Sequence, residues 1–385
     1  MTTTIINKNK KPNVPNLRFK EFEGEWEKTK FGDIAVVVGG GTPDTNTSQY
    51  WNGKIQWFTP SEIGRNKYVY NSVRTISEEG LNKSSAKLLP IGTILLSSRA
   101  TVGECSINKK ECTTNQGFQS LIPKENISNE FVYYLIQTKR KDLIRKSCGS
   151  TFLEISANEV RKIVVSIPTI KEQDKIAKLL SLLDERIATQ NKIIEDLKKL
   201  KSAISKKLLC NDKWTTYKIQ DIAEIGRGRV ISSVEIDRQK NPLYPVYSSQ
   251  TSNNGIMGYL DNYMFDGEYI TWTTDGANAG TVFYRKGKFN CTNVCGTLKI
   301  QPKFDCYFVS LVLQQATQKY VSSNLANPKL MNNTMASIKI RMPNIETQKQ
   351  LSKVFQALDG CLLIHQRTCE MYLKEKQYLL RQMFI

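Results

Sequence analysis

Histidine is almost missing from this chain of 385 residues: His365 is the one example. A single imidazole cannot build a histidine-rich metal cluster, and His365 sits inside a heptad pattern, which removes it from triad chemistry as well. No G-x-x-x-x-G-K-[ST] phosphate loop occurs, so the chain is not expected to hydrolyse ATP itself. Apolar runs are short, none approaching the roughly 18–20 residues that span a bilayer. Met1 to Lys11 is polar and basic with no apolar stretch behind it, which does not read as a secretory signal and places the protein in the cytoplasm, off the membrane. Nine cysteines, an odd number at irregular spacing, argue against a disulfide framework and for a reducing compartment. The tightest group, Cys291, Cys295 and Cys306, lacks C-x-x-C pairing, so no metal is expected. Carboxylates are also scarce. With 36 acidic against 55 basic residues the formal charge is +19, an excess that favours a polyanion, because each phosphate neutralised by Lys or Arg releases counterions.

What the chain does contain is a repeat. "WEKTKFGDIA" (Trp26 to Ala35) returns as "WTTYKIQDIA" (Trp214 to Ala223), with Trp, Lys, Asp, Ile and Ala in step. Val164 to Ile187 matches Lys339 to Leu362, placing Pro168 over Pro343, Gln173 over Gln348 and Leu183-Asp184 over Leu358-Asp359. Between these anchors the copies diverge, although "TNQGFQSLIPK" (Thr114 to Lys124) echoes "TNVCGTLKIQPK" (Thr292 to Lys303). The length allows about two or three domains. The repeat makes the chain two tandem units with similar ends and dissimilar middles.

Each unit closes with a helical pattern. From Ile176 a seven-residue step reaches Leu183, Gln190, Leu197 and Ile204, and Leu179, Ile193 and Leu200 fill most of the second apolar position, which is a coiled-coil seam. In the second copy the step gives Leu351, Leu358, His365, Tyr372 and Leu379, widened by Val354, Phe355, Leu362 and Met383. Thr368, Glu375 and Gln382 make that seam looser. Gln190 and His365 are equivalent, and a polar layer there would fix register. Both patterns start just after a proline. A helix from about Lys171 to Leu209 would be roughly 55–60 Å long, the length of a spacer. The two helices are expected to pack on each other.

The segments between are rich in β-branched and aromatic residues bounded by glycine, as in "GTILLSS" (Gly92 to Ser98), "KIVVSIP" (Lys162 to Pro168), "GEYITWTT" (Gly267 to Thr274) and "GTVFYRKGKF" (Gly280 to Phe289), and read as strands. Asn129 to Lys146 and Asp305 to Ser322 carry helical periodicity. The fold class is therefore α+β, with boundaries at 1–168 for a first globule and its N-terminal arm, 169–210 for the first long helix, 211–343 for a second globule and 344–385 for the second long helix.

Catalytic sets do not emerge. "NPLY" (Asn241 to Tyr244) is close to the Asn-Pro-Pro-Tyr loop with which DNA amino-methyltransferases hold a flipped base, but its second proline is missing. "GGG" at Gly39 to Gly41 and "GRG" at Gly226 to Gly228 lack the third glycine and the βαβ context of a cofactor-binding turn. What remains is loop chemistry. "GGGTPDTNT", "SSRATVG", "TTNQGF" and "SCGSTF" in the first unit, and "GRGRV", "YSSQTSNNG", "TTDGANAG" and "SSNLANPK" in the second, carry the Arg, Asn, Gln, Ser and Thr side chains that pair with base edges and phosphates.

The opening "PNLRFKEFEGEWEKTKFGDIA", "GGTP" at Gly40 to Pro43, "NQGF" at Asn115 to Phe118, "GSTFLEIS" at Gly149 to Ser156 and the two "P-x-x-x-x-Q…LD" helix starts resemble the specificity subunits of type I restriction-modification enzymes across essentially the whole chain. The resemblance implies two target-recognition domains, each reading one half of a bipartite double-stranded DNA site, joined by two long helices that pair as an antiparallel coiled coil. It implies DNA near Thr42, Thr59, Arg99, Asn115, Gln116 and Thr151 in the first domain, and near Arg227, Arg229, Ser249, Thr274, Asn278 and Lys329 in the second. It further implies two docked methyltransferase subunits that methylate adenine with S-adenosylmethionine, and restriction subunits driven by ATP and Mg, with no cofactor or catalytic residue on this chain. The second unit departs from the pattern, with "GRGRV" for "GGTP" and "NLANPKLM" for "GSTFLEIS". Two other readings stand beside it: a self-contained DNA methyltransferase, against which the missing cofactor turn speaks, and a coiled-coil scaffold for carbohydrate or protein, which leaves the +19 charge unexplained.

Overall fold

The computed structural model describes residues 12–149, 153–209, 211–322 and 327–385. Thr151 lies outside them, as do parts of "SCGSTF" and "SSNLANPK". The chain divides into two compact units, Met1–Gln190 with Thr368–Ile385, and Asn191–Arg367.

The first unit contains strands β1 (Glu27–Lys30), β2 (Ala35–Gly39), β3 (Trp51–Phe58), β4 (Tyr68–Val69), β5 (Arg74–Ile76), β6 (Ile94–Leu96), β7 (Cys105–Asn108), β8 (Cys112–Thr114), β9 (Gln119–Pro123) and β10 (Val164–Ile167). They form a five-stranded sheet ordered β2-β9-β6-β7-β4, a three-stranded sheet β5-β3-β8 and a β1-β10 ribbon. The second unit contains β11 (Thr215–Lys218), β12 (Ala223–Arg227), β13 (Tyr244–Tyr247), β14 (Ile256–Leu260), β15 (Glu268–Thr273), β16 (Val282–Lys286), β17 (Asn290–Cys291), β18 (Cys295–Ile300) and β19 (Lys339–Met342). Its sheets are β12-β18-β15-β16, β14-β13-β17 and the ribbon β11-β19. The plans correspond strand for strand, down to the parallel pairing of β3 with β8 and of β13 with β17. Among the described residues β4 is the addition in the first unit.

The repeated anchors have physical work to do. Trp26 packs edge-on against Phe131 of the helix Asn129–Thr138 at 6.0 Å, and Trp214 does the same against Phe308 of the helix Cys306–Ala316 at 5.9 Å. The turn after the ribbon strand is tied back by Phe31 N–H to Ile163 O (3.0 Å) and by Ile219 N–H to Ile338 O (3.1 Å), while Ile34, Ala35, Ile222 and Ala223 enter the two cores. The buried Gln173 donates to Pro168 O (2.9 Å) and accepts from Ser128 N (3.0 Å). Gln348 donates to Pro343 O (2.8 Å) and accepts from Asp305 N (3.0 Å). Ser128 and Asp305 stand at the N-terminal ends of the two globular helices, so each glutamine satisfies a donor that the helix itself cannot.

The long helices run Ile170–Leu208 and Ile345–Gln382. In the first unit Lys376 Nζ meets Asp184 at 2.7 Å and Arg186 reaches the Tyr372 hydroxyl at 3.5 Å. In the second, Lys201 Nζ meets Asp359 at 2.5 Å. Rising numbers on one helix meet falling numbers on the other, so the helices pair antiparallel. Ile176 and Leu183 are buried, and Gln190, Leu197, Ile204, Leu351, Leu358, His365, Tyr372 and Leu379 are half-buried. The second inner row differs from the expected one on the first helix, whereas on the second helix Phe355, Leu362 and Met383 stand where the widened stripe put them. The row consists of Leu180, Ile187, Ile194 and Lys201 on the first helix and of Phe355, Leu362, Cys369, Lys376 and Met383 on the second, and Leu200 is 48% exposed. Steps of three and four residues fall on opposite sides of one stripe. The globule cores cover the four-step side: Leu180 and Met383 lie in the first core and Phe355 in the second. Glu375, read as a weak point of the seam, is exposed and off that row.

Candidate nucleic-acid interface

Strand register brings the predicted loops of the first unit to one place. Gly39 pairs with Gln119 and Leu96 with Cys105, so the β2 exit, the β9 entry and the β6–β7 loop share one end of the large sheet. Phe58 runs parallel beside Thr114, which brings the β3 exit there too. Gly41 N–H donates to Thr114 O (2.8 Å), and a Cβ on Gly40 would lie 2.0 Å from Asn115 O, so only glycine permits this approach. Thr42 then hydrogen-bonds Gln116 through its hydroxyl. Asn115 N–H donates to Phe58 O (3.0 Å), and its side-chain oxygen accepts from Gly117 N (2.9 Å), a local turn that holds Gln116 out to solvent. Thr59 shares Glu62 between its N–H and hydroxyl, both at 2.7 Å. Ser98 N–H donates to Gly117 O (2.8 Å), which seats the neighbouring Arg99 beside the same turn. Ala100 has the left-handed φ of 62°, and Arg99 projects from this bend to Glu154, with Nη2 at 2.6 Å and Nε at 3.0 Å. Thr42, Thr59, Arg99, Asn115 and Gln116 thus form one cluster.

The second unit repeats the arrangement with other side chains. Arg227 pairs with Gly296 and Thr273 with Cys295, which aligns the β12 exit, the β18 entry and the β15–β16 turn. Gly228 is the counterpart of Gly40, since its Cβ would fall 2.0 Å from Cys291 O. Arg229 bridges to Thr292 by its backbone and grips Glu235 with both terminal guanidinium nitrogens. That contact, with the opposite charge and against the effect of burial, holds the Glu235 carboxyl below and the Arg229 guanidinium above their usual ranges. Thr292 N–H donates to Tyr247 O (2.8 Å), bringing the Ser248–Gly255 loop and half-buried Ser249 alongside. In that loop Asn253, Asn254 and Gly255 are all left-handed, at 49°, 52° and 80°. Lys329 Nζ stands 3.7 Å from Asp275, and Asn278 is exposed in the same turn. Thr274 differs from expectation: it is buried, its hydroxyl donating to Asp275 (2.6 Å), so it supports the turn from below.

Sequence reading missed the carboxylates. Glu154, Glu235 and Asp275 each face a basic residue of the cluster, and only Arg229–Glu235, six residues apart, could have been found by spacing. "NPLY" leads into β13: Asn241 N–H is held by Asp261 (2.9 Å) and the Tyr244 ring lies 5.1 Å from Tyr263. Among the described residues no three His, Cys, Asp or Glu groups gather as a metal set, and no helix is long and apolar enough to cross a membrane.

The model of the type I restriction modification DNA specificity domain matches the chain twice, over residues 23–199 and 211–370. The chain belongs to the type I restriction-modification DNA specificity family. Both family domains carry the glycine-seated loop cluster described above. Its curated relatives include the type I restriction enzyme MjaIX specificity subunit of Methanocaldococcus jannaschii, 40% identical over 180 residues, 46% of this chain and 42% of that subunit. The type I restriction enzyme MpnII specificity subunit of Mycoplasma pneumoniae is 39% identical over 179 residues, 46% of this chain and 53% of that one. The chain thus spans about half the length of these two relatives. A type I restriction-modification S subunit from M. genitalium shares the fold with a TM-score of 0.67 at 17% identity, over 97% of this chain and 99% of that one.

Proposed function

We propose that this specificity-family chain reads a bipartite double-stranded DNA site, one half-site with each loop cluster, and recruits two adenine-N6 methyltransferase subunits, with restriction subunits able to join. The observation that carries this reading is the pair of loop clusters on matched strand ends, built around Gly40 and Gly228, with different side chains in each. A charge of +19 supplies the sequence-independent attraction to phosphate. Thr42, Thr59, Arg99, Asn115, Gln116, Arg227, Arg229, Ser249, Asn278 and Lys329 are the side chains assigned to DNA, with Thr151 outside the described residues. The chain itself performs no chemistry; S-adenosylmethionine, ATP and Mg belong to its partners. The length of the helix pair sets the unread spacer between half-sites.

The test is sequencing of methylated adenines in cells that express type I methyltransferase subunits with and without this chain. One bipartite motif modified only when the chain is present is the expected result. Chain-independent modification, or none from an assembled complex, overturns the reading. Inserting two helical turns after Leu197 should change the spacer and leave both half-sites as they were.

A further inference from the structure

The repeated Leu-Asp of the long helices has no part in the loop clusters, yet each aspartate is the centre of a three-way contact. Tyr134, on the globular helix Asn129–Thr138, donates its hydroxyl to Asp184 Oδ2 at 2.7 Å, and Lys376 from the other long helix holds Asp184 Oδ1 at 2.7 Å. In the second unit Tyr307, on the helix Cys306–Ala316, donates to Asp359 Oδ2 at 2.6 Å, and Lys201 holds Asp359 Oδ1 at 2.5 Å. The oxygen assignment is the same in both. Lys201 and Lys376 are also equivalent, separated by the same offset that relates Asp184 to Asp359 and Gln173 to Gln348.

We infer that the two Tyr–Asp–Lys contacts are positioning joints, each fixing the rotation of one recognition globule on the helix pair and so restricting the complex to one spacer length. The apolar packing of the core that holds Phe131, Tyr134 and Leu180 is non-directional and tolerates small rotations. A carboxylate with each oxygen committed to a different element does not, because hydrogen bonds weaken steeply with angle. Burial, and then the neighbouring aspartate, push both tyrosines above their usual range, so the hydroxyls stay protonated and donate. The joints are unequal. Beside the first, Lys67 is inserted at 9% side-chain exposure, meeting Glu130 at 2.9 Å and the Ser181 hydroxyl of the long helix, and Tyr68 of β4 donates to the same Glu130. Among the described residues the second unit has no strand equivalent to β4, and Gln356, in the place of Ser181, is exposed. At the joint itself the first globule therefore has a second charged brace, whereas in the second unit the nearest further tie to the long helix is Ser352 Oγ donating to Asp305 Oδ1 at 2.6 Å, about two helical turns away.

This inference rests on the bipartite-DNA reading. The experiment sequences methylated adenines for the full complex carrying the wild-type chain, Tyr134→Phe, Tyr307→Phe, Asp359→Asn, Lys201→Gln or Lys201→Arg, with hydrogen exchange of the two globular helices measured on the same complexes. Expected is that both half-sites stay as they are, while sites with a spacer one base pair longer or shorter gain methylation about tenfold in Tyr307→Phe, Asp359→Asn and Lys201→Gln, less in Tyr134→Phe, and little in Lys201→Arg. Faster exchange should appear in Cys306–Ala316 but not in the sheets. An unchanged spacer with lower methylation overall means a merely structural contact and overturns the joint, as does an altered half-site. Absence of any bipartite motif from the wild-type complex condemns the DNA reading instead; unchanged exchange in Tyr307→Phe then overturns the joint on its own.

Discussion

Gly40 and Gly228 stand in the same relation to the strand ends behind them, and what surrounds them differs. In the first unit a neutral pair, Thr42 with Gln116, lies over the turn, and Arg99 arrives from the β6–β7 loop. In the second, Arg227 and Arg229 leave directly from β12, and the loop after β13 is bent by three successive left-handed residues. The backbone approach is common to both, and side-chain chemistry is where they part. Loop side chains can thus be substituted while the strand ends stay put, because the turn is held by main-chain bonds such as Gly41–Thr114 and Gly228–Cys295.

The comparison can be broken at its scaffold first. Trp26 is buried, donates to Glu172 at 3.3 Å and touches both Phe131 and Phe384, whereas Trp214 is half-buried. Trp26→Ala should cost about 3–5 kcal/mol and Trp214→Ala about 2, read as shifts in urea midpoint. Equal losses would deny the asymmetry between the units. Gly40→Ala and Gly228→Ala should each destabilise their own unit by about 2–3 kcal/mol, since the new Cβ meets backbone rather than a yielding side chain. Domain-resolved hydrogen exchange checks this, and a loss spread over both units would count against it. Gln173→Ala and Gln348→Ala should be near equal at about 1–2 kcal/mol, because their partners correspond. The smallest effect is on affinity. Glu235→Gln, which frees a doubly held Arg229, should tighten binding to arbitrary duplex about three- to fivefold at low salt, and Glu154→Gln somewhat less, since Arg99 uses one carboxylate oxygen. Weaker binding in either variant would mean that the carboxylate itself faces the ligand.

Much of the fold was legible because repetition marks the residues that meet backbone or core. Pro168 and Gln173, Trp26, and the Ile34-Ala35 pair recur because each fixes one junction of the scaffold. On the first long helix the second inner row lies one residue beyond the one the heptad step gives, while Phe355, Leu362 and Met383 of the second helix are on it. Helical periodicity alone does not say which side of an apolar stripe a globule covers, and Leu200 and Lys201 exchanged places for that reason. At the loops the sequence named stations that the strand ends gather, but it did not show burial. Thr274 looks like a surface residue in "TTDGANAG" and is covered once Leu330 N–H closes on its carbonyl at 2.8 Å. The carboxylate partners were hidden for a different reason: Glu154 reaches Arg99 across 55 residues, a separation that no local pattern encodes.

The central claim is that two equivalent scaffolds read two different half-sites. Selection from a random pool of DNA duplexes, by the chain assembled with methyltransferase subunits, tests it most directly when run on wild type, Arg99→Ala and Arg229→Ala. The account predicts a bipartite motif from wild type, with information lost from one half in Arg99→Ala and from the other half in Arg229→Ala. Loss from the same half in both variants, or enrichment of a single uninterrupted motif, would contradict it.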